Sequence, residues 1–266
     1  MSMSTSPQRS AFGGLLRHFR THRGLSQLAL ALRVETTTRH LSYLENGRSR
    51  PGRELVLRLA DALELALRSR NELLVSAGLA AEFPARALAD AVLAPYRRAI
   101  TGVIGALEPF PAFVLDPLLH LEQTNVAGGR FVPRPPGGAR LNLLDAFLAP
   151  GPARDQVDNF AEVAWSLFTR FSRAAASLPA DTPELEALRR RSQHYLEGVP
   201  RPTLDATGEP VICPTFRVGG RKIRTIGMTM RFGPSRDLTL EELSVDVLYP
   251  RDDDAERFFR AVPPEG

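Results

Sequence analysis

Apolar side chains in the first eighty residues recur every three to four positions, the spacing of amphipathic helices. Leu15, Leu16 and Phe19 share a face of "AFGGLLRHFRTHR", which Gly24 closes. Ser26 is a natural cap for the next helix, "QLALALR". Thr36 or Thr37 can cap a third, "TRHLSYLEN", with Leu41 and Leu44 turned inward. After the loop "GRSRPG", the stretch "RELVLRLADALEL" sets Leu55, Leu59 and Leu63 on one side. "SRNELLVSAGL" reads as a fifth helix, capped by Ser69 and stopped by Gly78.

The pattern then changes. Residues 81–95, "AEFPARALADAVLAP", read as a connector. "YRRAITGVIGAL" is a helix that opens a second unit. "PAFVLD" and "LLHLEQTN" read as short strands meeting at a turn on Asp116-Pro117. "FVPRPPGGAR" is loop, because proline and glycine suit neither ladder. "LNLLDAFLA" is a short helix and "TPELEALRRRSQHYLEG" a longer one. Between them "ARDQVDNFAEVAWSLFTRFSRAAASL" is one long helix with Phe160, Ala164, Leu167, Phe168 and Phe171 on one side. "EPVICPTFRV", "KIRTIGMTMRFG" and "EELSVDVLYP" read as antiparallel strands, and "DAERFFRAV" as a closing helix.

The predicted fold is an all-α five-helix domain over residues 10–80. An α+β domain with an antiparallel sheet follows over residues 96–262, and residues 1–9 and 263–266 are tails. The sheet is expected to draw its strands from both ends of that domain.

Charge narrows the partners. Residues 1–80 carry twelve arginines against six acidic side chains, and the rest is slightly acidic. The net +4 therefore comes from the N-terminal third, which points to a polyanion site there. The lone cysteine, Cys213, can form no internal disulfide and reads as a small buried apolar residue. His18 and His22 are spaced to chelate but lack a third ligand nearby, so no metal site is expected. Apolar runs fall short of the ~20 residues that a membrane helix needs. "MSMSTSPQRS" lacks the apolar core of a secretion signal, so a cytoplasmic protein without a membrane partner is expected.

A groove-reading helix imposes positional demands. Small or apolar residues must stand where it crosses the preceding helix, and Leu30, Ala31, Leu41 and Leu44 do. Its outer face must be polar, as Thr38, Arg39, Ser42 and Tyr43 are. Helix N-termini near phosphate should carry donors and no carboxylate, as at Ser26-Gln27 and Thr36-Thr37-Thr38.

On these residues, "GLSQLALAL…TRHLSYLENGRSRP" resembles the DNA-binding domain of the XRE regulators, a phage-repressor-like helix-turn-helix. The matching pieces are "GLSQ", "LENG" and the Arg/Pro loop that follows, at a gap-free separation. The resemblance implies phosphate-contacting places for Gln27, Thr37, Asn46 and Arg48, and base-reading places for Thr38, Arg39 and Tyr43. It also implies an ion pair between Arg20 and Glu45 that ties the first helix to the end of the third. Ser42 and Arg50 complete the expected DNA-facing set. Tyr43 fits the sugar-phosphate equally well, and Arg39 on its own also suits a solvated surface. Glu35 and Thr36 depart from the family turn, which holds a glycine and an apolar residue. A non-glycine there costs about 1 kcal/mol, and Glu35 would repel phosphate unless turned toward Arg33 or Arg39.

The rest resembles the MmyB-like transcription regulators, a branch of the XRE group. The resemblance rests on "PAFVLDPLLHLEQTN", "LNLLDAFLAP", "VDNFAEVAWSLF" and "FGPSRDLTLEELSVDVLYP", in that order. The usual "AxN" after the second strand is "QTN" here, ending in Asn125. The resemblance implies a PAS-like domain that binds a small ligand of the fatty-acid class. Candidate ligand-facing residues are Phe113, Leu115, Leu144, Phe147, Trp165, Phe168, Met228 and Met230. Filling the core is the default role of each, and lining a cavity the other. Met228 and Met230 alternate, so they share a sheet face, and thioethers suit an adaptable site. Arg189-Arg190-Arg191 fits a carboxylate head group or, more simply, a solvated helix face.

The expected function is a sequence-specific DNA-binding transcription regulator whose C-terminal domain senses a small apolar ligand. A homodimer is expected, because one small head gives little specific affinity and paired half-sites lie about 34 Å apart. The alternatives are a C-terminal domain that only dimerises or binds a protein, or an enzyme with a DNA-binding appendage. An enzyme is not expected: there is no G-x-S-x-G, phosphate loop, dinucleotide fingerprint or zinc motif. Asp155, Asp158, Glu162 and Asp246 show no partner pattern, and Asp252-Asp253-Asp254 reads as a solvated loop. No cofactor is implied.

Overall fold

The helical periodicity of the N-terminal third becomes α1 (Pro7–His22), α2 (Gln27–Arg33), α3 (Thr38–Glu45), α4 (Arg53–Ala62) and α5 (Leu67–Ser76). The structure is a computed structural model that describes residues 7–132, 140–176, 178, 183–203 and 211–261. The chain divides into two units after Ala85, with Ser235–Leu238 grouped with the first.

All five helices stop in one way. The residue after each C-cap takes a left-handed backbone: Gly24, Glu35, Gly47, Glu64 and Gly78, with φ of 66, 52, 67, 51 and 77°. In each case its amide and the next one reach back to close the last turn. Thus Glu35 N donates to Leu32 O and Thr36 N to Ala31 O, just as Glu64 N and Leu65 N donate to Asp61 O and Ala60 O. The strained turn expected at Glu35 is therefore a helix stop built on glutamate, and a second one stands at Glu64.

Helix starts follow side-chain caps where these exist. Ser26 Oγ accepts from Ala29 N at 3.0 Å. Of the two candidate threonines Thr37 caps α3, accepting from His40 N at 3.0 Å. Ser69 does not cap α5, which begins earlier, behind Ala66 and without a side-chain cap; Leu67 in its first turn is buried.

Phe12, Leu16, Leu30, Leu41, Leu44, Leu59 and Leu73 form the centre of this core. Leu15 and Phe19 pack at its margin. In α4, Val56 is buried alongside Leu59 and Leu63, while Leu55 is only partly covered. Gly13 makes the core possible, since a Cβ there would lie 2.3 Å from the carbonyl oxygen of Glu45.

In the second unit a 3-10 turn at Ala91–Leu93 leads into α6 (Ala94–Ala106), β1 (Ala112–Leu115), β2 (Leu121–Thr124) and α7 (Val126–Gly129). Then come α8 (Leu143–Leu148), α9 (Pro152–Asp155), α10 (Phe160–Ala175) and α11 (Pro183–Tyr195). The chain ends through β3 (Thr215–Val218), β4 (Arg221–Arg231), α12 (Leu238–Glu242), β5 (Ser244–Pro250) and α13 (Asp253–Ala261). The strands form one antiparallel sheet in the order β2-β1-β5-β4-β3. As expected, it joins strands from both ends of the unit.

Alternation sorts the sheet residues. Ala112, Val114, Val245 and Val247 face α6 through Ile100 and Ile104. Phe113 and Leu115 face α8, α10 and α11. Asn125 holds the β1 end of this arrangement: its amide donates to Ile104 O and Phe110 O, and its carbonyl accepts from Ala112 N and Gly128 N. All four partners are backbone groups, so this buried polar side chain is fully satisfied.

Four expectations need correction. The long helix is interrupted between Asp155 and Phe160, because Val157 bridges to Phe216 and Asp158 N donates to Thr215 O at the edge of β3. The strand within "EPVICPTFRV" shortens to Thr215–Val218, following Pro214, which has no amide hydrogen to offer a ladder. A short helix, α12, takes in Glu241 and Glu242, the first two residues of the expected strand, and β5 begins at Ser244. Asp252 caps α13, accepting from Ala255 N, so the acidic run is a helix start rather than a loop. Residues 133–139 of the expected loop, residues 1–6 and the tail 263–266 lie outside the described residues.

Candidate nucleic-acid interface and ligand cleft

The α3 sequence separates two faces. Leu41 and Leu44 are fully buried against α1 and α2, while Thr38 and Arg39 are exposed and Ser42 and Tyr43 are half-buried. Arg39 Nε donates to Tyr43 Oη at 2.9 Å, and its guanidinium lies 5.4 Å from the ring centre. One turn of helix thus holds the arginine over the tyrosine. Beyond the C-terminal end of α3, Arg48 and Arg50 are exposed, and neither side chain has a partner among the described residues.

The other expected contacts are already engaged. Asn46 Nδ2 donates to Ser42 O at 2.8 Å, and its Oδ1 accepts from Arg17 at 3.0 Å. Gln27 Nε2 donates to Glu45 at 2.8 Å. Thr37 Oγ1 is the α3 cap.

Glu45 is the hub beneath this surface. Its side chain has no solvent exposure, yet it accepts from Arg17, Arg20 and Gln27. Burial pushes its carboxyl up, but the hydrogen bonds from Arg20 and Gln27 and the adjacent charges outweigh that and hold it below the usual glutamate range. The Arg20–Glu45 pair is as the sequence implied; Arg17 is an addition. Arg17 was missed because its partner lies on another helix and no local spacing signals it.

Glu35 is exposed, and its carboxylate reaches neither Arg33 nor Arg39. Arg33 instead donates to Ala62 O. At the parallel position, Arg23 donates to both the Glu64 carboxylate and its carbonyl.

In the second unit a cleft of about 250 Å3 opens between α10 and the sheet. Phe113, Phe147, Val163, Leu167, Phe216 and Leu248 supply most of its apolar wall, and Arg170, Asp246, Thr229 and Ser166 are polar lining residues. Arg170 pairs with Asp246 and donates to Ser244 Oγ at 2.8 Å; Thr229 Oγ1 donates to Asp246 at 3.0 Å. Helix α10 is used on two sides: Ala164, Phe171 and Ala175 join the core, and Val163, Ser166, Leu167 and Arg170 line the cleft.

Of the eight expected ligand-facing residues, Phe113 and Phe147 line this cleft; Met228 borders it but pairs with Val247, on the sheet face turned toward α6. Leu115 and Leu144 are fully buried and do not. Trp165 and Phe168 lie outside the lining, and the Trp165 indole donates to Val199 O beneath Arg201. Met230 lines a separate hollow beside α6, with Ile100 and Val103. Val163, Leu167, Arg170 and Phe216 were missed by sequence reasoning. The Arg189–Arg191 run is outside the cleft: Arg189 pairs with Glu186 and Arg191 with Asp145.

Three of the four carboxylates without a sequence pattern, Asp158, Glu162 and Asp246, find cationic or amide partners instead. Asp158 pairs with Arg217 and Lys222, and Glu162 accepts from Asn159. Among the described residues, no group of three or more His, Cys, Asp or Glu side chains is placed to hold a metal ion. No helix there is long and apolar enough to cross a membrane.

Comparison with known proteins places both units. Residues 11–73 match a helix-turn-helix domain family. Solved structures similar to the chain include the restriction-modification controller protein C.AhdI from Aeromonas hydrophila, 31% identical over 24% of this chain and 98% of that one, with a TM-score of 0.24. Another is the clp gene regulator ClgR from Corynebacterium glutamicum, 28% identical over 29% of this chain and 95% of that one, with a TM-score of 0.25. No curated protein matches the chain. Residues 96–262, well over half of the sequence, match the MmyB-like transcription regulator ligand binding domain. The chain is a DNA-binding helix-turn-helix transcription regulator and belongs to the MmyB-like family.

Proposed function

We propose that α3 enters the major groove with Thr38, Arg39, Ser42 and Tyr43 toward the bases, while Gln27, Thr37, Asn46, Arg48 and Arg50 meet the backbone. The observation that carries this reading is the exposed Arg39, aimed by Tyr43 and followed by two arginines with no partner among the described residues. Engaged amides at Gln27 and Asn46 suit positioning groups, since phosphate contacts need fixed geometry more than free side chains.

The protein acts as a homodimer on paired half-sites. Ile226, Met228 and Met230 support this: they form an exposed apolar strip along one face of β4, each more than a third accessible. The C-terminal domain, PAS-like in build, takes a small apolar ligand of fatty-acid type in the cleft beside α10. To act on DNA affinity, that ligand must bind one arrangement of the protein better than another. The site of action is the cytoplasm, where the operator is.

Footprinting of purified protein on genomic fragments tests the reading. Protection of two half-sites one helical turn apart is expected. If Arg39→Ala protein gives a wild-type footprint at wild-type concentration, α3 is not the reading helix.

A further inference from the structure

The sheet face that carries α6 is only half covered. Helix α6 lies over β1 and β5, where Ile100 and Ile104 pack on Ala112, Val114, Val245 and Val247. The next strand is β4, whose register sets Met230 opposite Val245, Met228 opposite Val247 and Ile226 opposite Tyr249. Opposed residues of an antiparallel pair share a face. Ile226, Met228 and Met230 therefore continue the surface that α6 covers, yet each is more than a third exposed. The flank of α6 beside them is apolar too: Tyr96 and Val103 are 44% and 45% exposed, with exposed Ala99 between them. An open hollow of about 210 Å3 separates helix from strand, and Ala99, Val103 and Met230 are among its lining.

We propose that this face joins two copies of the chain, with α6 of each copy seated on the bare β4 of the other. This rests on the homodimer reading and gives it a surface. A small molecule in the hollow would touch Met230 but leave Ile226 and Met228 bare, since neither lines it. Covering the whole row takes an apolar helix flank of similar length, and the chain itself carries one. Tyr96 to Val103 spans about 10 Å of helix, and Ile226 to Met230 about 14 Å of strand. Because α6 and β4 lie side by side on one face, a two-fold axis makes both contacts at once. The contact repeats one already made within the protomer, where α6 buries Ile100 and Ile104 on the neighbouring strands. Tyr96, Ala99, Val103, Ile226, Met228 and Met230 are all uncharged, so duplicating them sets no like charges together. Gly102 fits the same arrangement. It is exposed in mid-helix, and a Cβ there would meet nothing within 4 Å. The glycine weakens the helix and answers no contact inside the protomer, but a second helix alongside would use the space.

Sedimentation velocity on the full-length protein tests this, with the fold of each variant checked by far-ultraviolet circular dichroism. The wild type should sediment as a dimer. Val103→Glu and Met228→Lys should each sediment as monomers, the dimer dissociation constant rising about a hundredfold. Mixing the two variants should restore a dimer. One of its two helix–strand contacts is then wild type, and the other sets the introduced carboxylate against the introduced ammonium. Misfolded variants would not recover in this way. If Met228→Lys loses the wild-type spectrum, Ile226→Lys in the same row takes its place with the same expectation. A wild-type dimer that survives both substitutions, or folded monomeric variants that stay apart on mixing, overturns this interface and leaves the homodimer reading standing. A monomeric wild type overturns both.

Discussion

Arg20 holds Glu45 with two nitrogens, Nε at 2.5 Å from Oε1 and Nη2 at 3.0 Å from Oε2. Its third nitrogen donates to Leu25 O at 2.7 Å, so one side chain fastens α1, the turn after it and the end of α3. The helix that carries Arg39 is positioned from behind by a charge pair that reaches no solvent on the Glu45 side. Removing one partner leaves the other buried and uncompensated. Glu45→Ala should therefore cost about 3 kcal/mol or more, read as a fall in the urea midpoint for the helical unit.

The same residue sets an acid limit. A carboxyl held low in the folded protein takes a proton more readily once unfolded. Its stabilisation is complete above the ordinary glutamate range, about 4.3, and is lost as pH falls through the lower folded value. Asp116, held below the usual aspartate range against its own burial by His120 and Arg140, works in the same direction in the second unit. Melting temperature should fall steeply below about pH 4.5, and Glu45→Gln should flatten that slope at the helical unit while lowering stability at neutral pH. An unchanged acid slope in the variant would sink the assignment.

The glutamates in the helix stops give opposite expectations. Glu35 has a left-handed backbone and no side-chain partner among the described residues, so Glu35→Gly should stabilise by about 0.5–1 kcal/mol. DNA binding should be intact, or slightly tighter with one fewer negative charge near phosphate. Glu64→Gly relieves the same strain but discards the carboxylate that Arg23 grips, and should gain less. Paired thermal melts measure the difference.

Gly13→Ala should be damaging despite alanine's better helix propensity. The added methyl meets the backbone of Glu45 and Leu44, not a side chain that can swing away. A loss of about 1–3 kcal/mol is expected from overpacking, with DNA affinity falling as the end of α3 is displaced. A melting temperature at or above wild type would contradict the close approach.

Base-reading and phosphate-holding roles separate under salt. Arg39→Ala should weaken operator binding by about 1–3 kcal/mol and relax preference at one base position. Arg48→Ala and Arg50→Ala should weaken all sequences alike and lower the salt slope by about one each. Tyr43→Phe removes the hydroxyl that holds Arg39 and should give a milder form of the Arg39 effect. Fluorescence anisotropy on specific and scrambled duplexes, across a salt series, sorts these outcomes.

The helical unit was nearly all legible because its signals are local. Caps at Ser26 and Thr37, stops at Gly24 and Gly78, and the 3.6-residue rhythm each act within one turn. The end of α3 was less so: Arg17 meets Glu45 across 28 residues, and no spacing rule reports that. The cleft was harder still. Its second α10 face carries Ser166 and Arg170 among apolar residues, so it does not register as an apolar stripe. Leu115 and Leu144 are the same residue type as Leu167 and differ only in which side of their element the fold covers. The break before Phe160 came from pairing with β3, more than fifty residues later, which helix periodicity cannot anticipate.

The sheet order has a consequence for how the protein is made. β1 sits between β2 and β5, and β5 is the last strand of the chain. During synthesis, the five helices with their locally closed ends can settle as soon as they leave the ribosome, as short-range architectures do in microseconds to milliseconds. β1 must wait, with one edge open, until nearly the whole polypeptide has emerged. In that interval the nascent chain exposes Ala112–Leu115, an apolar strand buried in the finished protein. Truncation before Ser244 should therefore leave the helical head formed and the remainder prone to aggregation.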